Sequence, residues 1–143
     1  MTKYITLFIL LSWSLIGLSQ CKETLLPKAN TKLEDYTYLK DVPVALKEVK
    51  EAKDKRQLTV PVMLNKGTKY RFVVEDSENH EGKLVFELFG DRGRKVTSYL
   101  PDYDKHFSVL EFICTQSGMY FMNFEFTGAK EGCGVVVYGF KKL

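Results

Sequence analysis

The stretch QLTVPVMLNKGTKYRFVVE, Gln57 to Glu75, decides the fold. Leu58, Val60, Val62 and Leu64 alternate with Thr59, Pro61 and Met63. After Asn65-Lys66-Gly67 the alternation resumes with Tyr70, Phe72 and Val74. Successive side chains of a strand point to opposite sides, so each run presents one apolar face. The Asn-Lys-Gly segment is a turn signal, with Gly67 free to adopt a left-handed conformation. Pro61 lies on the other phase of its run. Having no N–H to give a neighbour, a proline belongs at a sheet edge or a bulge.

The same period runs through most of the chain. DVPVALKE alternates Val42, Val44 and Leu46; KLVFELF alternates Leu84, Phe86 and Leu88. HFSVLEFIC reads through Leu110, Phe112 and Cys114, and GMYFMNFEF through Tyr120, Met122, Phe124 and Phe126. CGVVVYGF carries apolar residues on both phases, Val135 and Val137 against Val136, Tyr138 and Phe140. Between the runs lie EDSENHEG, Asp91-Arg92-Gly93, Pro101-Asp102, Gln116-Ser117-Gly118 and TGAKEG, all rich in turn formers. Gly93 suits a tight hairpin, and Gly118 a place where a side chain would clash. Short strands so spaced predict an all-β, antiparallel, jelly-roll-like sandwich of about eight strands. Met119–Phe126, apolar on both phases near its start, is expected at a central position. ALKEVKEAKDK is read as a strand to about Lys47, followed by a charged loop or one short helix.

The chain divides into an export signal at 1–19, a polar lead-in at 20–37 containing Pro27, and the sandwich at 38–143. Lys3 precedes the uncharged run YITLFILLSWSLIGL, which is shorter than the roughly 20 residues a bilayer span needs. Cleavage after Ser19 would leave Gln20 at the new terminus. Leu18, Ser19 and Cys21 also fit a lipoprotein signal, but Gln20 occupies a place that should be Gly, Ala or Ser. Soluble export is therefore preferred to lipidation of Cys21. The mature chain is expected in the periplasm or outside the cell, or else lipid-anchored to the envelope. A membrane is a partner only if Cys21 is lipidated.

With 21 Lys+Arg against 18 Asp+Glu the net charge is +3, and the signs are intermixed. No basic stripe marks a nucleic-acid partner. The cysteines are Cys21, Cys114 and Cys133. An odd count in an oxidising compartment leaves either one free thiol or one lipidated cysteine. In a plain meander Cys114 and Cys133 would stand roughly 20 Å apart at about 3.3 Å per residue, beyond the reach of a disulfide. Cys21 could reach either, so the pairing stays open. No C-x-x-C or Cys/His cluster calls for a metal.

LTVPVMLNKGTKYRFVV, KLVFELFGDRGRKV and FSVLEFICTQSGMYFMNFEF, in this order, resemble the bacterial pre-peptidase C-terminal domain and related jelly-roll modules. The pattern also resembles small uncharacterised exported proteins of Gram-negative bacteria that carry GTKYRF and EGC elements. The resemblance covers Leu58 to Phe140. It implies a non-catalytic sandwich that assists binding, secretion or solubility. No protease is attached here, and Glu81-Gly82-Lys83 stands where some members place acidic residues, so a calcium role does not carry over.

Catalytic signatures are missing. The two histidines, His80 and His106, accompany no G-x-S-x-G, H-E-x-x-H or phosphate loop, and no carboxylate pair is marked by apolar surroundings. In DYDKH, an extended backbone would put Asp102, Asp104 and His106 on one face, where a cation could be held; a solvated turn is the plainer reading. Tyr99 and Tyr103 flank Pro101 and are candidates for stacking on a sugar or a protein. The sequence thus reads as an exported, non-catalytic module without a cofactor. It is expected to bind a protein partner or support an envelope assembly, the alternative being a carbohydrate-binding module using the loop tyrosines.

Overall fold

The computed structural model describes residues 16–48 and 56–143. Most of the signal-like segment, and the charged run after Glu48, lie outside the described residues. Helix α1 spans Ile16–Thr31, followed by β1 (Thr37–Leu46), β2 (Leu58–Leu64), β3 (Thr68–Asp76), β4 (Leu84–Gly90) and β5 (Gly93–Thr97). A two-residue ribbon, β6 (Tyr99–Leu100) and β7 (Lys105–His106), brackets a 3-10 turn at Pro101–Tyr103. Then come β8 (Val109–Cys114), β9 (Gly118–Phe126) and β10 (Gly132–Lys142).

Two four-stranded antiparallel sheets form, ordered β1-β10-β3-β8 and β2-β9-β4-β5. The pairings β1·β10, β2·β9, β3·β8 and β4·β5 nest inside one another along the chain. The eight strands therefore make one long hairpin rolled into two layers, which is the jelly roll. Each phase read from the sequence holds: Val44, Leu64, Tyr70, Phe72, Phe86, Leu88, Met122, Phe124 and Val136 are buried between the sheets. Phe72 stacks on Phe86 with ring centroids 4.9 Å apart, and Phe86 meets Phe124 at 5.6 Å. β9 is central in its sheet and Pro61 lies on an edge strand, as expected. Gly67 and Gly93 take positive φ at their turns, of 78° and 88°. Gly118 has no neighbour within 4 Å of an added Cβ, so the clash expected there does not exist.

The polar lead-in at 20–37 proves to be largely helix. Cys21, Leu25 and Ala29 recur every fourth residue and so share one face of α1. That face packs on Val73, Val135 and Val137, together with Leu33 just beyond the helix. The second apolar phase of β10 is thereby explained: its two faces serve two cores. Ala29 is fully buried, and its small side chain lets the helix lie close to the sheet. Around this contact Lys28 and Lys32 both pair with the buried carboxylate of Glu75, and Lys22 pairs with Asp41. Cys21 is disulfide-bonded to Cys133 at the start of β10, with Cα atoms 6.4 Å apart. Cys114 remains a buried thiol. It lies level with Thr68, which pairs with Lys142, so nine residues of β10, about 30 Å, separate it from Cys133.

Candidate partner-binding surface

The two outer faces of the sandwich differ. Below α1 the outer side chains Val73, Val135 and Val137 are apolar and covered, with Glu75 buried beside them. On the second sheet the outer phase also begins apolar, and nothing among the described residues covers it. In register, Met63 of β2 lies opposite Met119 of β9. One row further, Pro61, Phe121 and Phe89 run across three strands. Met63, Met119 and Phe121 are 66%, 52% and 44% exposed, with Phe89 half-buried beside them. The next row turns polar: the Thr59 hydroxyl donates to Asn123 Oδ1 at 3.0 Å, and Arg94 pairs with Glu87 at 3.2 Å. Beyond it the Gln57 amide donates to Glu125 at 3.0 Å. Antiparallel sheets with one solvated face ordinarily alternate to polar residues there. A contiguous strip of methionines and aromatics is the exception that marks an interaction site. At its end Met119 borders a shallow hollow formed with Asp91, Gln116, Ser117, Gly118 and Tyr120. Two of these residues are bonded to each other: the Tyr120 hydroxyl donates to the Gln116 carbonyl at 2.8 Å. Burial first, and then the Cys114 thiol, push its pKa up to about 12.

The apolar strip was missed in the sequence although the signal was present. Both phases of GMYFMNFEF are apolar near its start, which indicated a central strand, and β9 is central. What the sequence did not show is that only one of its faces is covered.

The residues singled out by sequence are placed as follows. Asp102, Asp104 and His106 do not share a face, because the segment is not extended. Pro101–Tyr103 form a 3-10 turn, and Asp104 ends it with a positive φ of 45°. The Asp104 carboxylate instead accepts the Tyr99 hydroxyl at 3.2 Å, while the His106 ring stacks on Tyr99 with centroids 4.3 Å apart. Among the described residues no three His, Cys, Asp or Glu side chains come together as a metal site. Tyr99 is half-buried, with one ring face on His106, whereas Tyr103 is 79% exposed. The two tyrosines thus offer one free ring rather than a platform of two. The sulfur of Cys21 is bonded to Cys133, and a disulfide sulfur has no valence left for a lipid thioether. His80 lines a polar depression with Glu48, Asn79, Glu81, Lys130 and Glu131, where Lys130 pairs with Glu48 at 2.9 Å. Among the described residues, no helix is long and apolar enough to cross a membrane.

No protein-family model and no curated protein matches the chain. Among solved structures it is similar to PliG of Aeromonas hydrophila, a periplasmic lysozyme inhibitor of g-type lysozyme, at a TM-score of 0.49 and 8% identity. The similarity covers 76% of this chain and 90% of that one. A likeness of this size does not bear on ligand or activity.

Proposed function

We propose that this chain is an exported, non-catalytic β-sandwich that binds a protein partner through the outer face of its second sheet. The observation that carries the reading is the uncovered strip of Pro61, Met63, Phe89, Met119 and Phe121. Export rests on the uncharged apolar run after Lys3 and on the Cys21–Cys133 bond, which persists in oxidising compartments. A protein suits the strip better than a lipid surface. On the same face the rows of Thr59, Asn123 and Glu87 and of Gln57 and Glu125 are polar, and sinking the face about 5–10 Å into a headgroup boundary would strip water from them. A partner with an apolar patch of matching shape covers the strip without burying the polar rows beside it.

The test is recovery of the tagged, exported protein with a stoichiometric partner, then purification of that partner and titration against wild type and Met119→Asp/Phe121→Asp. At least a tenfold loss of affinity in the double variant, with an unchanged unfolding curve, is the expected result. Equal affinity would remove the strip from the interface.

A further inference from the structure

Met63, Met119 and Met122 fall within the described residues, and their surroundings divide them. Met122 is 1% exposed between the sheets, whereas Met63 and Met119 stand open on the outer face of the second sheet. Other reduced sulfur is out of reach. The Cys114 thiol is buried, and Cys21 and Cys133 are bonded to each other. Among the described residues, Met63 and Met119 therefore carry the exposed reduced sulfur of the molecule. Both lie in the apolar strip.

The two sulfurs belong to one place. Met63 of β2 and Met119 of β9 are register partners on the same face. Directly opposed residues of an antiparallel pair hold their Cβ atoms about 4.5–5.5 Å apart. Pro61 and Phe121 fill the adjoining row, so a protein seated on the strip covers both thioethers at once. Sheet surfaces favour β-branched and aromatic side chains, and such residues would supply apolar area equally well. Methionine brings two further properties. Its flexible, polarizable side chain adapts to a partner. Its sulfur can also be converted to a sulfoxide, which is polar and chiral, and converted back.

We propose that Met63 and Met119 form a paired oxidation site that turns the strip from apolar to polar and so releases the bound protein. The inference rests on the reading of the strip as the partner-binding surface. The oxidant is a peroxide. The thioether sulfur attacks it, the O–O bond breaks, one oxygen joins the sulfur as S=O and the other leaves as water. Sulfur loses two electrons and the peroxide gains them. Each sulfoxide places a strong acceptor within an apolar interface, where a polar atom without a partner is costly to desolvate. The fold is spared, because the core is built from the opposite phase, Val62, Leu64, Tyr120 and Met122. The return step removes the oxygen as water at the expense of a dithiol, which becomes a disulfide. It is catalysed by two methionine sulfoxide reductases, one for each epimer.

The test treats the mature wild type and Met63→Leu/Met119→Leu with hydrogen peroxide. Peptide mapping should show Met63 and Met119 oxidised at least tenfold faster than Met122. Retention of the wild type on a hydrophobic-interaction column should fall, and return after both reductases and dithiothreitol; retention of the leucine variant should not move. The purified partner should bind the oxidised wild type at least tenfold more weakly than the untreated protein, with coincident unfolding curves and recovery on reduction. The variant's own affinity should be the same before and after peroxide. Oxidation of Met122 at the same rate, unchanged retention with both sulfoxides in place, or an altered unfolding curve would each overturn the proposal. Unchanged affinity of the doubly oxidised protein, beside a loss in Met119→Asp/Phe121→Asp, would overturn the switch and leave the strip as the interface. Unchanged affinity in both would remove the interface, and the switch with it.

Discussion

Met63 of β2 stands directly across from Met119 of β9 on the outer face of the second sheet, and more than half of each residue is open to solvent. Neither contributes to the core beneath, which is built from the opposite phase, Val62, Leu64, Tyr120 and Met122. Replacing Met119 and Phe121 by lysine should therefore leave stability within about 0.5 kcal/mol of wild type, as surface substitutions usually do. Retention on a hydrophobic-interaction column should fall. Thermal unfolding and chromatography on the same samples check both halves.

The disulfide closes a sequence separation of 112 residues between α1 and β10. A cross-link over so long a loop typically contributes about 2–4 kcal/mol, mainly by restricting the unfolded chain. Cys21→Ser should lower the unfolding free energy by that amount. Alkylation of the native, unreduced protein should leave Cys114 untouched, because its thiol is buried. Unfolding without reductant should reveal one reactive thiol, and reduction two more, counted by intact mass.

Lys69 first, then Arg71 and Tyr36, hold the Glu111 carboxyl down at about 2 in the folded state, from an ordinary value of 4.5. A depressed carboxyl stabilises the fold above its unfolded pKa, and that contribution is lost as pH falls through the folded one. Stability should thus decline between about pH 4.5 and pH 2 for this group. Glu111→Gln should flatten that part of the stability-versus-pH curve and leave the remainder of its shape alone. Urea unfolding at half-unit pH steps measures it.

Two core substitutions separate the layers. Phe86→Ala removes a ring packed on both Phe72 and Phe124 and should cost about 3–5 kcal/mol. Ala29→Leu adds volume where α1 meets the sheet without a gap and should cost about 1–3 kcal/mol through strain. Both are read from denaturant midpoints.

The sandwich was legible because a strand states its buried face every second residue. Runs such as Leu84-Phe86-Leu88 need no tertiary knowledge to be oriented. The nesting of β1 on β10 is a long-range choice that no local pattern encodes. Helix α1 was harder to see: its buried stripe consists of Cys21, Leu25 and Ala29, interrupted by Pro27, which removes one helical hydrogen bond. Val135 and Val137, apolar on a phase that should face water, were the surviving trace of its docking. The DYDKH segment failed for a different reason. Pro101 favours a tight turn, and the alternation needed to bring Asp102, Asp104 and His106 together never forms. The apolar strip of β9 was visible as composition, but whether such a face is covered depends on the rest of the chain.

Binding through the second sheet is tested most directly by a photo-crosslinking residue placed at Phe121 of the exported protein in a native-type host, with Lys40 of β1 as the control position. One defined protein should be captured from position 121 and not from position 40. Once purified, that protein should bind the wild type and lose at least tenfold in affinity for Met119→Asp/Phe121→Asp. Capture of only lipid, of a second copy of the chain, or of the same species from both positions would contradict the assignment of that face to a protein partner.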